Sequence, residues 1–107
     1  MTFTVTLPLP PSTNNLFINY GRKRRKSPKY RVWERQAILS IFAQVRADRR
    51  IGGPVALSLC VPSGMRGDIE NRLKATIDAL VKSNRIDDDK HVQSILILRG
   101  GAEAGTI

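Results

Sequence analysis

Between residues 30 and 98 the apolar side chains change their repeat from one segment to the next, and this alternation fixes the class of fold open to the chain. Tyr30, Trp33, Ala37, Ile41 and Val45 recur at helical spacing. Ser27 supplies an N-cap and Pro28 suits the first helical position, so the spacing predicts a helix over 28–50. Arg49 and Arg50 in its last turn suit the negative end of the helix dipole, and Gly52-Gly53-Pro54 breaks the chain after them. Val55, Leu57, Leu59 and Val61 then alternate with Ala56, Ser58 and Cys60, the period of a strand with one well-buried face. From Asp68 the period returns to that of a helix, with Ile69, Leu73, Ile77, Leu80 and Val81 on one stripe and Asn84 as its stop. The run Ile95-Leu96-Ile97-Leu98 is short, unbroken and partly β-branched, as expected of an interior strand.

Upstream, Thr2-Phe3-Thr4-Val5-Thr6-Leu7 alternates polar with apolar and predicts a first, half-buried strand, stopped by Pro8, Pro10 and Pro11. Residues 12–29 hold Asn14-Asn15, Gly21 and the run Arg22-Lys23-Arg24-Arg25-Lys26, with little apolar surface to anchor them, and predict a mobile basic loop. The order strand, helix, strand, helix, strand implies an α+β fold, a small mixed β-sheet covered by two helices in a single domain over 1–107. Its second strand-helix-strand unit is expected to be a right-handed crossover. At this size folding buries little more than ~60% of the unfolded chain's surface, so a partner subunit or bound ion is a natural source of extra stability. No apolar run approaches the ~20 residues of a membrane helix. Residues 1–19 carry no charged side chain, so the basic start of a secretory signal is missing and a cytoplasmic location is expected. The single cysteine, Cys60, forms neither an internal disulfide nor a multi-cysteine zinc site.

Charge is distributed unevenly. Eighteen Lys and Arg against nine Asp and Glu leave a net +9, and the stretch 20–50 alone carries eleven bases and only two acids, Glu34 and Asp48. Such a stretch is the electrostatic footprint of a protein that binds a polyanion, most often nucleic acid, because each neutralised phosphate releases counterions. Six of the nine acids fall instead between 66 and 92: Asp68, Glu70, Asp78, Asp87, Asp88 and Asp89. Residues two apart on a regular helix point about 200° apart, so Asp68 and Glu70 share a ligand only where the incoming chain becomes helix, which is where the pattern places them. The same positions suit an N-cap and a first-turn carboxylate stabilised by the dipole alone, and Glu70, Lys74, Asp78 and Lys82 form an i,i+4 ladder of alternating sign. Asp87-Asp88-Asp89 reads equally as a polar turn. Both groups of acids nevertheless flank one strand-helix-strand unit whose ends return near each other. A carboxylate cluster poor in histidine suits Mg²⁺ or Mn²⁺ rather than zinc. Without a cation these acids would repel the phosphates that the basic segment attracts.

Several segments resemble a known family. Leu7-Pro8-Leu9-Pro10-Pro11-Ser12-Thr13-Asn14, Gly21-Arg22, Gly67-Asp68-Ile69-Glu70-Asn71-Arg72-Leu73-Lys74, Asp78-Ala79-Leu80 and Asp88-Asp89 followed by Val92 are similar to the RusA-type Holliday junction resolvases, over nearly the whole chain. The resemblance implies a homodimeric, metal-dependent endonuclease that cuts four-way DNA junctions with paired, symmetric nicks in DNA recombination and repair. Position by position, it makes Asp68 the first metal-binding acid and puts Glu70 where the family usually has its second aspartate. Counting back from Val92, it makes Asp89 the third acid, a one-residue slip giving Asp88. Lys74 takes the place of the catalytic lysine. The expected site is thus Asp68, Glu70 and Asp89 around Mg²⁺, with Mn²⁺ as an alternative, assisted by Lys74. Arg22, Lys23, Arg24, Arg25, Lys26 and Lys29 would contact the backbone of branched DNA. The competing class is a branched-DNA or nucleic-acid-binding module without chemistry, whose acids only cap helices and turns.

Overall fold

The computed structural model describes residues 2–11, 17–20, 23–64, 69–102 and 107. Helix α1 spans Pro28–Gln44 and begins where the sequence predicts, with Ser27 Oγ accepting the Tyr30 N–H at 3.1 Å. Tyr30, Trp33, Ala37 and Ile41 are its buried face. It stops at Gln44, short of the expected end near residue 50, because the apolar stripe runs out. Val45 turns extended and buries its side chain, whereas Arg46, Asp48, Arg49 and Arg50 are exposed and offer nothing to pack.

Residues 2–7 show the expected alternation of burial but form no ladder. Side chains hold this segment instead. Gln44 accepts from the Thr6 N–H at 2.9 Å and donates to the Thr6 carbonyl at 2.7 Å, and Trp33 Nε1 donates to the Pro8 carbonyl at 2.7 Å. Leu7 exchanges both backbone bonds with Ile107, each 2.9 Å. A groove of about 690 Å³ lies between residues 2–7 and the segment Val55–Cys60.

Strand β3, Val55–Val61, and strand β4, Val92–Arg99, pair in parallel, Ala56 opposite Ser94 and Val61 opposite Arg99. Helix α2, Ile69–Lys82, connects them as expected. The helix ends in a left-handed Asn84 (φ 61°), whose N–H donates to the Val81 carbonyl while the Arg85 N–H donates to that of Leu80, both at 3.0 Å. This double bond pattern satisfies two of the carbonyls that a helix end leaves without partners. β4 is not the interior strand predicted from its apolar run. Ile95, Leu96 and Leu98 are 45%, 55% and 47% exposed, because among the described residues β4 pairs with β3 alone.

A second correction concerns residues 12–29. Phe17–Tyr20 and Lys23–Lys26 pair as an antiparallel hairpin, strands β1 and β2, with Phe17 opposite Lys26 and Tyr20 opposite Lys23. Phe17, Ile18 and Tyr20 have strong strand preferences and two residues separate the strands, a spacing that suits a hairpin; the charge run concealed this. Residues 12–16 and 21–22 lie outside the described ones. The α+β class and the two helices therefore stand, but the single mixed sheet resolves into an antiparallel and a parallel pair. The core joins both helices to β3 through Trp33, Ile41, Leu59, Val61, Ala79 and Leu80. No helix among the described residues is long and apolar enough to cross a membrane.

Candidate active site

Glu70 lies in the first turn of α2, exposed, with Lys74 exposed one turn further on. Asp68, predicted to bind metal beside Glu70, lies outside the described residues. The expected ladder along α2 gives way to contacts across the fold. Asp78 accepts from the Tyr30 hydroxyl at 3.4 Å, and Lys82 Nζ reaches Glu34 Oε1 on α1 at 2.8 Å. Burial, the charges of Asp78 and Glu34, and this hydrogen bond hold the Tyr30 phenol well above its ordinary pKa.

The three consecutive aspartates divide by role. Asp87 pairs with Arg50 and accepts the Gly53 N–H at 3.0 Å, so it anchors the turn to the segment before β3. Asp88 caps a single turn of 3₁₀ helix over Asp89–His91, accepting the Lys90 N–H at 3.2 Å. Asp89 is exposed at the start of that turn. A hydrogen bond between the Asp88 and Asp89 carboxyl groups pulls the pKa of Asp88 down and pushes that of Asp89 up, and the charges of Asp88 and then Asp78 push Asp89 further. The turn and α2 thus bring acids into one another's field. Like charges at this separation resist ionising together, and a cation relieves the repulsion. Exposed carboxylate oxygens are the hard donors that suit a divalent ion with a partial water shell. Among the described residues no three acids, histidines or cysteines close on one ion.

On the basic side, Arg22 lies outside the described residues, and Lys23, Arg24, Arg25 and Lys26 form β2. Arg25 is exposed, as is Lys29 in the first turn of α1. Lys26 is engaged within the protein: its Nζ binds Glu34 Oε2 at 2.7 Å and lies 4.9 Å from the centre of the Tyr30 ring. Burial disfavours the Glu34 charge, but bonds from Lys26 and Lys82 outweigh it and hold the carboxyl below its ordinary pKa. Reasoning from the sequence passed over Glu34 and Tyr30. The available signal was that Glu34 is the one acid among the nine charged residues of 22–35.

Residues 8–107 match the model of the family described as endodeoxyribonuclease RusA. The chain is 29% identical over 101 residues to a crossover junction endodeoxyribonuclease of Enterobacteria phage HK97, a match covering 92% of this chain and 82% of that protein. It is 30% identical over 100 residues to the crossover junction endodeoxyribonucleases of Escherichia coli K12 and of Shigella sonnei Ss046, with the same coverage. With a match that spans all but the first few residues, the chain belongs to the RusA endodeoxyribonuclease family.

Proposed function

We propose that this protein is a metal-dependent endonuclease that resolves four-way DNA junctions by paired, symmetric nicks. The carrying observation is the family match over 8–107, which spans both the basic hairpin and the acidic turn. The relatives are named for cleavage of crossover junctions. Asp68, Glu70 and Asp89 would hold one or two Mg²⁺ or Mn²⁺, which when bound supply an activated water and charge neutralisation at the scissile phosphate. The crowding of Asp89 by Asp88 and Asp78 supports this donor set, and the commitment of Asp87 to Arg50 and Gly53 leaves it out. Lys74, exposed on the helix that carries Glu70, is free to place its ammonium against charge developing on the leaving oxygen. Arg22, Lys23, Arg24, Arg25 and Lys29 grip the DNA backbone, Lys23, Arg24 and Arg25 from strand β2 and Lys29 from the adjoining helix turn.

A homodimer completes this reading, because a four-way junction has two-fold symmetry and paired nicks need two sites. Val32, Leu39 and Phe42 give α1 a second, exposed apolar stripe on the side opposite the one it buries, in keeping with a helix that packs against a partner. The deciding experiment is cleavage of a labelled four-way junction, with linear duplex and flap controls, in Mg²⁺, in Mn²⁺ and in chelator. Metal-dependent paired nicks at the junction are expected. Tight junction binding with no cleavage in either metal would reduce the protein to a binding module.

A further inference from the structure

Three separate elements meet at one carboxylate. Glu34, in the second turn of α1, holds Lys26 at the base of the hairpin through Oε2 at 2.7 Å and Lys82 at the end of α2 through Oε1 at 2.8 Å, and its side chain is only 14% exposed. A second path runs beside it: Lys26 lies over the Tyr30 ring, and the Tyr30 hydroxyl donates to Asp78 in the middle of α2. The base of the hairpin is thereby tied to α2 twice. An isolated two-stranded hairpin is marginally stable, so what its base touches decides where the rest of it points. Each oxygen of Glu34 holds an ammonium, so its charge is already matched within the protein.

We propose that Glu34 is a positioning residue: by clamping Lys26 and Lys82 it sets the basic hairpin at a fixed distance and angle from the helix that carries Glu70 and Lys74. DNA gripped by the hairpin is then delivered with its scissile phosphate in register with the carboxylates. The inference rests on the nuclease reading above, and it adds a distinct requirement, that grip and cleavage separate when the clamp is opened. Removing a negative charge from a basic surface favours polyanion binding, whereas displacing the DNA by about an ångström costs cleavage.

The test uses Glu34→Gln, which keeps the shape and removes the charge. Junction affinity should hold or tighten, while the single-turnover cleavage rate of fully bound junction falls on the order of tenfold or more. An unchanged rate, or a loss of rate that only tracks a loss of affinity and of Tm, overturns the proposal. Lys82→Gln, which opens the α2 side alone and leaves Lys26 on Glu34, should move the rate in the same direction by less, and it serves if Glu34→Gln fails to fold. A second readout needs no activity. Spin labels at Arg25→Cys and Gln93→Cys in a Cys60→Ser background should give one narrow distance, which broadens in Glu34→Gln. An unbroadened distance overturns the clamp, whereas broadening in a protein that never cuts DNA keeps the clamp and sinks the nuclease reading instead.

Discussion

The basic hairpin and the acidic turn are both short and densely charged, yet the fold handles their charge in opposite ways. At the hairpin one carboxylate, Glu34, gathers Lys26 and Lys82 and is itself stabilised in its charged form. At the turn Asp88 and Asp89 crowd each other, with Asp78 adding to the pressure, and Asp89 is held back from ionising. The first arrangement satisfies its charge internally and is a matter of architecture. The second leaves negative charge on the surface without a matching cation from the protein, which is the repulsion that the proposed metal would relieve. Within the turn the same contrast recurs in miniature, for Asp87 has Arg50 and the Gly53 N–H, whereas its two successors have chiefly each other and Lys90.

The sharpest way to break this comparison is to neutralise acids one at a time. Asp89→Asn should lower the junction-cleavage rate on the order of 10²–10³-fold, the scale seen when one group that stabilises the transition state is removed. Its Tm should hold or rise, since a like charge has been relieved. Asp87→Asn should do the reverse, leaving cleavage nearly intact and costing about 1 kcal/mol of stability measured by urea unfolding. Equal loss of cleavage in both variants would erase the distinction between anchor and site.

Metal should separate the two regions next. At a Mg²⁺ concentration about tenfold above its Kd, binding to the native state should stabilise the wild type by roughly 1.4 kcal/mol, read as a rise in Tm. Asp89→Asn should lose most of that rise and Glu34→Gln should keep it. On the hairpin side, Arg25→Ala should weaken binding to all DNA shapes alike and reduce the slope of log affinity against log salt by about one, as for a single backbone contact. A change confined to junctions would assign Arg25 to shape recognition instead.

The smallest effect is one of pH. The folded pKa of Glu34 lies below its ordinary value, so the clamp's contribution is present above the usual glutamate range and disappears as the pH falls through the folded value. Hydrogen bonding to Glu34 holds Lys82 above its ordinary value, so its share persists through neutral pH and is lost only as the pH rises past the lysine range. The stability difference between wild type and Glu34→Gln, roughly 1 kcal/mol or less at neutral pH, should shrink toward zero on acidification. A difference that grows in acid would mean that Glu34 is not held as a charged group.

Much of this is legible in the chain. Periodicity places the buried faces of α1 and α2 and the strand at Val55–Val61, and capping residues place the start of α1 at Ser27-Pro28 and the stop of α2 at Asn84, because each depends on residues within a turn or two of one another. The uneven charge and the resemblance to junction resolvases are sequence properties, and the family match accords with them. Where the expectations fail, a partner outside the segment itself decides. Residues 2–7 alternate like a strand but are held by Gln44, Trp33 and Ile107 rather than by a neighbouring strand. The apolar run of β4 is exposed because it pairs on one side only, and β2 is a strand in spite of its charge because Phe17–Tyr20 lies opposite it.

The sequence by itself determined which segments bury an apolar face, where the positive and negative charge is concentrated, and to which family the chain belongs. Only the tertiary structure decided how the charges divide between scaffold and surface. Spacing along a helix allows Lys82 to pair with Asp78, but packing of α1 against α2 offers it Glu34, 48 residues away, and sequence spacing does not contain that choice. Three adjacent aspartates are chemically alike as a string. What separates Asp87 from Asp89 is that Arg50 and Gly53 reach one and not the other, and electrostatic energies at a few ångströms depend on that geometry far more than on composition.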